Sequence, residues 1–140
     1  MAIKLHHLSD HHIRLYQHQC QAMEKISQGH NLIITTPTAS GKTMAFNLPV
    51  FNMLIKDRQS TALYIYPTKA LANDQLKKIR AMEEAMSLNF YSDIYDGDTS
   101  RARRTRIRSR SRVIITNPYQ LHHSLSWHWK WESFFKILNT

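Results

Sequence analysis

Residues 31–43, NLIITTPTASGKT, decide the fold. Leu32, Ile33 and Ile34 form a short apolar run that reads as a buried strand. A loop of Pro37 and small residues follows, then Gly41-Lys42-Thr43, then MAFNLPVFNMLI with the apolar spacing of a helix. Strand, loop and helix in that order form the context in which a short glycine-lysine motif becomes a credible phosphate site.

The residue types suit that chemistry. A polyphosphate needs backbone N–H groups pointing inward, and a helix N-terminus supplies them together with a favourable dipole. Thr36, Pro37, Thr38, Ala39 and Ser40 make the loop, and Gly41 lets its backbone approach without a Cβ clash. Lys42 reaches the β- and γ-phosphates, and Thr43 offers its hydroxyl to Mg²⁺. The strict motif begins with glycine, where this chain has Thr36. The competing reading is a Ser/Thr-rich turn that merely precedes Gly-Lys-Thr. The flanking strand and helix favour a nucleotide loop.

Composition sets the frame around that loop. At 140 residues the chain has the length of about one domain, and 42% hydrophobic content suffices for a core. Lys and Arg outnumber Asp and Glu by 19 to 10, a formal charge of +9 that suits a polyanionic partner. Cys20, the single cysteine, makes no internal disulfide and fits a reducing cytosol, so a cytoplasmic, nucleoid or nuclear setting is expected. MAIKLHHLSDHH lacks the apolar core of a signal peptide, and no apolar run is long enough to span a membrane. Nine histidines include three adjacent pairs but show no metal-ligand spacing, so they read as surface residues.

Along the chain, residues 8–28 read as a helix capped by Ser9 or Asp10 and ended by Gly29. A helix over about 42–56 should turn Phe46, Val50, Met53 and Leu54 inward, with Pro49 kinking or shortening it. ALYIY at 62–66 predicts a second buried strand, followed by a helix with Leu71, Leu76, Ile79 and Met82 on one face. A weaker third strand is expected at 89–95, ended by Asp96-Gly97-Asp98, then a helix at 99–110. VIIT at 113–116 predicts a fourth strand, with helices at 118–125 and 131–139 after it. The alternation implies parallel β–α crossovers in one α/β unit, with no repeat, linker or domain boundary.

Four blocks, in order, resemble the first RecA-like domain of superfamily-two DEAD/DEAH-box helicases, across about residues 12–140. LYQHQ (15–19) is similar to the glutamine motif, and TPTASGKT (36–43) to motif I, whose first position the family allows to vary. PTKALANDQ (67–75) is similar to motif Ia, and TNPYQL (116–121) to motif Ib. With YDGDT at 95–99 the wording is nearest the MrfA/Hrq-type DNA-repair helicases. The resemblance implies a P-loop NTPase sheet flanked by helices, with ATP and Mg²⁺ as cofactors. It also implies single-stranded or duplex nucleic acid, DNA favoured, as partner.

Gln19 on its own reads either as a surface glutamine or as a bidentate partner for adenine N6 and N7; the resemblance implies adenine. Pro67, Thr68 and Lys69 follow one strand, and Thr116 and Asn117 end another, at the edge where open α/β sheets bind ligands. A hydroxyl, a helix N-terminus and a lysine suit a phosphodiester oxygen, though an ordinary strand-to-helix turn has the same residues. The resemblance implies that these five hold a single strand by its backbone.

RARRTRIRSRSR (101–112) has seven arginines in twelve positions and reads as an exposed basic helix, solvated or facing nucleic acid. Trp127, Trp129 and Trp131 read as core first and stacking platforms second. No strand ends in the Asp-Glu pair that holds Mg²⁺ and polarises water, and Asp96-Gly97 lacks the neighbouring Glu. The expectation is the front part of a helicase motor, sheet incomplete at the C-terminus, cut before the Walker B strand and without its C-terminal helicase domains. Such a piece should bind nucleotide weakly, not hydrolyse it, and be marginally stable or self-associating. Two other readings are a nucleic-acid-binding fragment with a vestigial phosphate loop, and a small P-loop kinase, disfavoured because motifs Ia and Ib would lack a role.

Overall fold

The computed structural model describes residues 15–35, 37 and 40–135. The chain divides into two compact units, one ending at Asp57 and the other beginning at Arg58.

The first unit holds two helices, α1 (Gln17–Ser27) and α2 (Lys42–Lys56), packed on each other. Helix α1 starts after Tyr16; the Ser9 and Asp10 caps expected from sequence lie outside the described residues. It ends as expected at Gly29, whose φ of +79° lets the His30 N–H return to the Lys25 carbonyl at 3.0 Å. Helix α2 runs unbroken through Pro49 to Lys56, so the proline does not shorten it. Its buried set is Ala45, Asn47, Leu48, Pro49, Phe51 and Leu54, whereas Phe46, Val50 and Met53 are half-buried. The inward face is therefore rotated from the one the spacing suggests.

Residues 32–34 do not form the expected buried strand. Leu32 is exposed and Ile33 is 89% exposed, and no described segment pairs with them. A strand needs a lateral hydrogen-bonding partner, which apolar composition alone does not supply.

The second unit is a three-stranded parallel sheet with helices between its strands. Its strands are β1 (Ala62–Ile65), β2 (Asp93–Ile94) and β3 (Val113–Thr116), in the order β1-β3-β2. Tyr64 of β1 and Ile94 of β2 both lie opposite Ile115 of β3. Val113, Ile114 and Ile115 are fully buried, as expected for a central parallel strand covered on both faces. Edge strand β1 is less buried than its apolar sequence suggests, with Ile65 on the surface. The expected strand at 89–95 shrinks to two residues, because Asn89 Oδ1 accepts the Tyr91 N–H at 2.9 Å and Tyr91 takes φ +54°.

Between the strands lie α3 (Lys69–Ala85) and α4 (Arg101–Arg110), and after β3 comes α5 (Pro118–Leu125). A 3₁₀ turn (His128–Trp131) and the short α6 (Glu132–Phe135) follow. Helix α3 buries Leu76 and Ile79 as expected, with Ala72 in place of the exposed Leu71. Tyr95, Ile107, Ile114, Trp131 and Phe134 form one core cluster, the Tyr95 and Trp131 rings meeting edge to face at 4.6 Å. Trp131 is thus core, while Trp127 and Trp129 lie on the surface. No described helix is long and apolar enough to cross a membrane.

Candidate nucleotide and nucleic-acid sites

In the first unit the site is built on the start of α2. Gly41 sits in the left-handed region and ends the loop, its carbonyl accepting from Met44 and Ala45 N–H in the first helical turn. Lys42 Nζ donates to the Pro37 carbonyl at 2.8 Å, so the ammonium faces back across the loop toward an oxygen acceptor. Thr43 lies in the same first turn. Thr36, Thr38 and Ala39 lie outside the described residues.

Gln19 is buried rather than a surface residue. Its Oε1 accepts the Tyr16 N–H at 2.9 Å, closing the N-terminus of α1, and its Nε2 donates to the Gly41 carbonyl at 3.1 Å. A Cβ on residue 41 would stand 2.7 Å from that Nε2. The glutamine motif and the phosphate loop are therefore joined by one side-chain amide. An amide oxygen accepts two hydrogen bonds and its NH₂ donates two, so these two bonds use half of the amide's capacity.

Three helices of the second unit begin where the three parallel strands end. Thr68 caps α3 after β1 by accepting the Leu71 N–H at 3.2 Å. Ser100 caps α4 after β2, accepting from Arg103 N–H at 3.4 Å, and Asn117 caps α5 after β3, accepting from Gln120 N–H at 2.8 Å. Three positive dipole ends on one sheet edge make it attractive to anions. Pro67 and Lys69 lie on this edge and are exposed, and the Lys69 ammonium forms an ion pair with Asp98. That carboxylate, by accepting the hydrogen bond, holds the ammonium's pKa above its ordinary value.

Thr116 departs from the sequence expectation. It is buried, and its hydroxyl donates to the Tyr95 carbonyl at 2.7 Å, so it links β3 to β2 and does not face outward. Asp96 is a turn former: its carboxylate accepts from Asp98 N–H at 3.0 Å and Thr99 Oγ1 at 3.1 Å. Sequence reasoning missed Arg104, which holds the same turn through the Thr99 carbonyl at 2.8 Å and the Asp96 carbonyl at 3.0 Å. Its place in an arginine-rich run gave no signal separating it from its neighbours. Among the described residues no cluster of His, Cys, Asp and Glu could hold a metal ion, and His30, His122 and His123 are exposed.

The family model for DEAD/DEAH box helicases matches residues 16–139. The chain is 43% identical over 125 residues to an uncharacterized ATP-dependent helicase, YprA, of Bacillus subtilis, covering 89% of this chain and 17% of that protein. It is also 43% identical over 126 residues to the ATP-dependent helicase HRQ1 of Saccharomyces cerevisiae, covering 88% of this chain and 12% of that one. Its fold superposes on the crystal structure of the DUF1998 helicase MrfA bound to DNA and AMPPNP with a TM-score of 0.90 and 40% identity. That match covers 99% of this chain and 20% of MrfA, so the chain spans a fifth or less of each of these relatives.

Proposed function

The chain belongs to the DEAD/DEAH box helicase family, and from that premise we propose that it is the ATP-binding portion of an ATP-dependent DNA helicase or translocase. The observation behind this reading is the start of α2: a left-handed Gly41 before a 15-residue helix, with Lys42 Nζ turned onto the loop's own carbonyl at 2.8 Å. A phosphate oxygen is the same kind of acceptor, so the lysine fits a polyphosphate held over the loop. Lys42 neutralises β- and γ-phosphate charge, and Thr43 offers its hydroxyl to Mg²⁺. The ion, when bound, supplies further charge neutralisation at the transferring phosphoryl group. Thr36, Pro37, Thr38, Ala39, Ser40 and Gly41 give the loop backbone, and Gln19 holds adenine while fixing Gly41.

In the second unit, Pro67, Thr68, Lys69 and Asn117 hold the backbone of a nucleic-acid strand. Thr116 acts from behind, by fixing the end of β3. DNA is favoured because MrfA is a DNA-bound relative; a role in repair follows from the motif wording, and a cytoplasmic, nucleoid or nuclear setting from the single cysteine Cys20. Turnover by this machinery also uses an Asp-Glu strand end that holds Mg²⁺ and polarises water, and the reading for these 140 residues is nucleotide binding without turnover. Titration of the chain with a fluorescent ATP analogue, alongside a phosphate-release assay, tests the reading. Saturable binding that Lys42→Ala abolishes, with no phosphate release, is expected. Salt-sensitive DNA binding without nucleotide binding would instead support a vestigial loop.

A further inference from the structure

A cleft of about 390 Å³ lies between α4 and α5, lined by Arg101, Arg104, Arg108 and Lys130 with no carboxylate among the described residues of its walls. None of these four cations joins an ion pair among the described residues; the acids that pair with cations here are Asp74, Asp93 and Asp98. Two of the four are built into the fold. Arg104 holds the turn after β2 and lies over the Tyr95 ring at 5.2 Å, while Arg108 donates to the Tyr95 hydroxyl at 3.1 Å. The other two make no side-chain hydrogen bond or ion pair among the described residues: the Arg101 guanidinium has no partner there, and Lys130 Nζ rests 4.7 Å above the face of Trp127. That ring also meets Trp129 edge to face at 5.0 Å, so a base stacking on it takes the place of the ammonium. Trp127 itself is 44% exposed at the rim.

This arrangement works against the fold that contains it. The first turn of α4 has three arginines and no acid, although a helix N-terminus favours negative charge and repels cations. Arg103 is relieved by Asp93 and Arg104 by backbone carbonyls, but no described residue relieves Arg101. An anion in the cleft would relieve it. The cleft also opens at the proposed DNA edge, since Arg101 and Gln120 stand in the first turns of α4 and α5, whose caps follow the adjacent strands β2 and β3. Helix α5 leads from there to Trp127 along about 12 Å.

We propose that the α4–α5 cleft is a second contact for single-stranded nucleic acid, taking phosphates on Arg101 and Lys130 and one unstacked base on Trp127. The strand runs on from the Asn117 end of the sheet edge, so this inference rests on the nucleic-acid role proposed above. An indole face accepts any base, so the contact adds affinity and path without sequence preference.

The test is fluorescence anisotropy of the chain with a labelled oligothymidylate between 50 and 200 mM salt. Arg101→Gln/Lys130→Gln removes no side-chain hydrogen bond or ion pair among the described residues, only the Lys130 contact with the Trp127 ring. It should lower the slope of log K against log[salt] by about 1.4, at about 0.7 per single-strand phosphate. Trp127→Ala should weaken binding several-fold at all salt concentrations, and Trp127→Phe should restore it. A double variant with wild-type slope and affinity, while Lys69→Gln still weakens binding, would overturn the cleft and leave the sheet-edge site standing. Failure of the wild-type chain to bind the oligomer at 50 mM salt would remove both. Equal displacement by polyglutamate at matched charge would overturn the nucleic-acid assignment in favour of an acidic peptide.

Discussion

Lys69 and Asp98 form an ion pair between the turn after β1 and the turn after β2, although β3 lies between those strands. The pair spans the carboxyl end of the central strand and occupies the lysine that the proposed site would turn toward a phosphate. Both side chains are exposed, so their mutual attraction is weak enough for a phosphodiester to displace Asp98. Asp98→Asn should therefore tighten oligonucleotide binding roughly two- to fivefold, the scale of losing one exposed competitor. In a Lys69→Gln background the same change should have little effect. Anisotropy titrations of the four proteins check this.

Gly41 and Gln19 should be energetically coupled. Gly41→Ala forces a side chain into the left-handed region, a cost of about 1–2 kcal/mol, and brings its Cβ to 2.7 Å from Gln19 Nε2. Gln19→Ala removes that clash along with the bond to the Gly41 carbonyl. In urea denaturation the double variant should lose less stability than the two single variants summed. Additive losses would mean that the amide does not constrain the loop.

Glu83 gives the second unit a pH dependence of defined sign. Burial raises its carboxyl pKa above 4.5, more than the Ser92 hydrogen bond and Arg80 lower it. The folded state therefore binds the proton more tightly than the unfolded state. Its contribution to stability is full below 4.5 and is lost as pH rises through the elevated folded value. Glu83→Gln keeps an acceptor for the Ser92 hydroxyl and has no charge to bury. Melting curves should show the variant more stable than wild type at pH 7, with the difference narrowing toward pH 4.

The tryptophans separate by role. Trp131 is buried against Tyr95 and Phe134, and Trp131→Ala should cost about 3–5 kcal/mol. Trp127→Ala, at the exposed rim, should cost about 1 kcal/mol, the scale of its contacts with Lys130 and Trp129. Paired denaturation curves distinguish the two residues, which the alternating sequence does not.

What was legible in the sequence followed local physics. VIIT identified a strand because a parallel strand buried on both faces is apolar without interruption, and Gly41 and Asn117-Pro118 marked helix starts by backbone chemistry. The order of the four motifs also indicated the family before any geometry was known. The illegible features depend on partners distant in the chain. Leu32–Ile34 has the composition of a strand, but no residue pattern reveals whether a neighbour pairs with it. Likewise Gln19 showed an amide without showing that its acceptor is the Gly41 carbonyl, 22 positions away. The rotated face of α2 and the inward Thr116 hydroxyl have the same origin: packing selects among faces that helical or strand periodicity leaves equivalent.

The most direct test of a polyphosphate bound at the start of α2 is a residue-resolved amide spectrum of ¹⁵N-labelled chain, titrated with Mg·ADP and then Mg·AMPPNP. Gly41, Lys42 and Thr43 should show the largest saturable shifts, larger with the triphosphate analogue and absent in Lys42→Ala. Unmoved α2 amides, or equal shifts in Lys42→Ala, would contradict the nucleotide assignment and the motor function built on it.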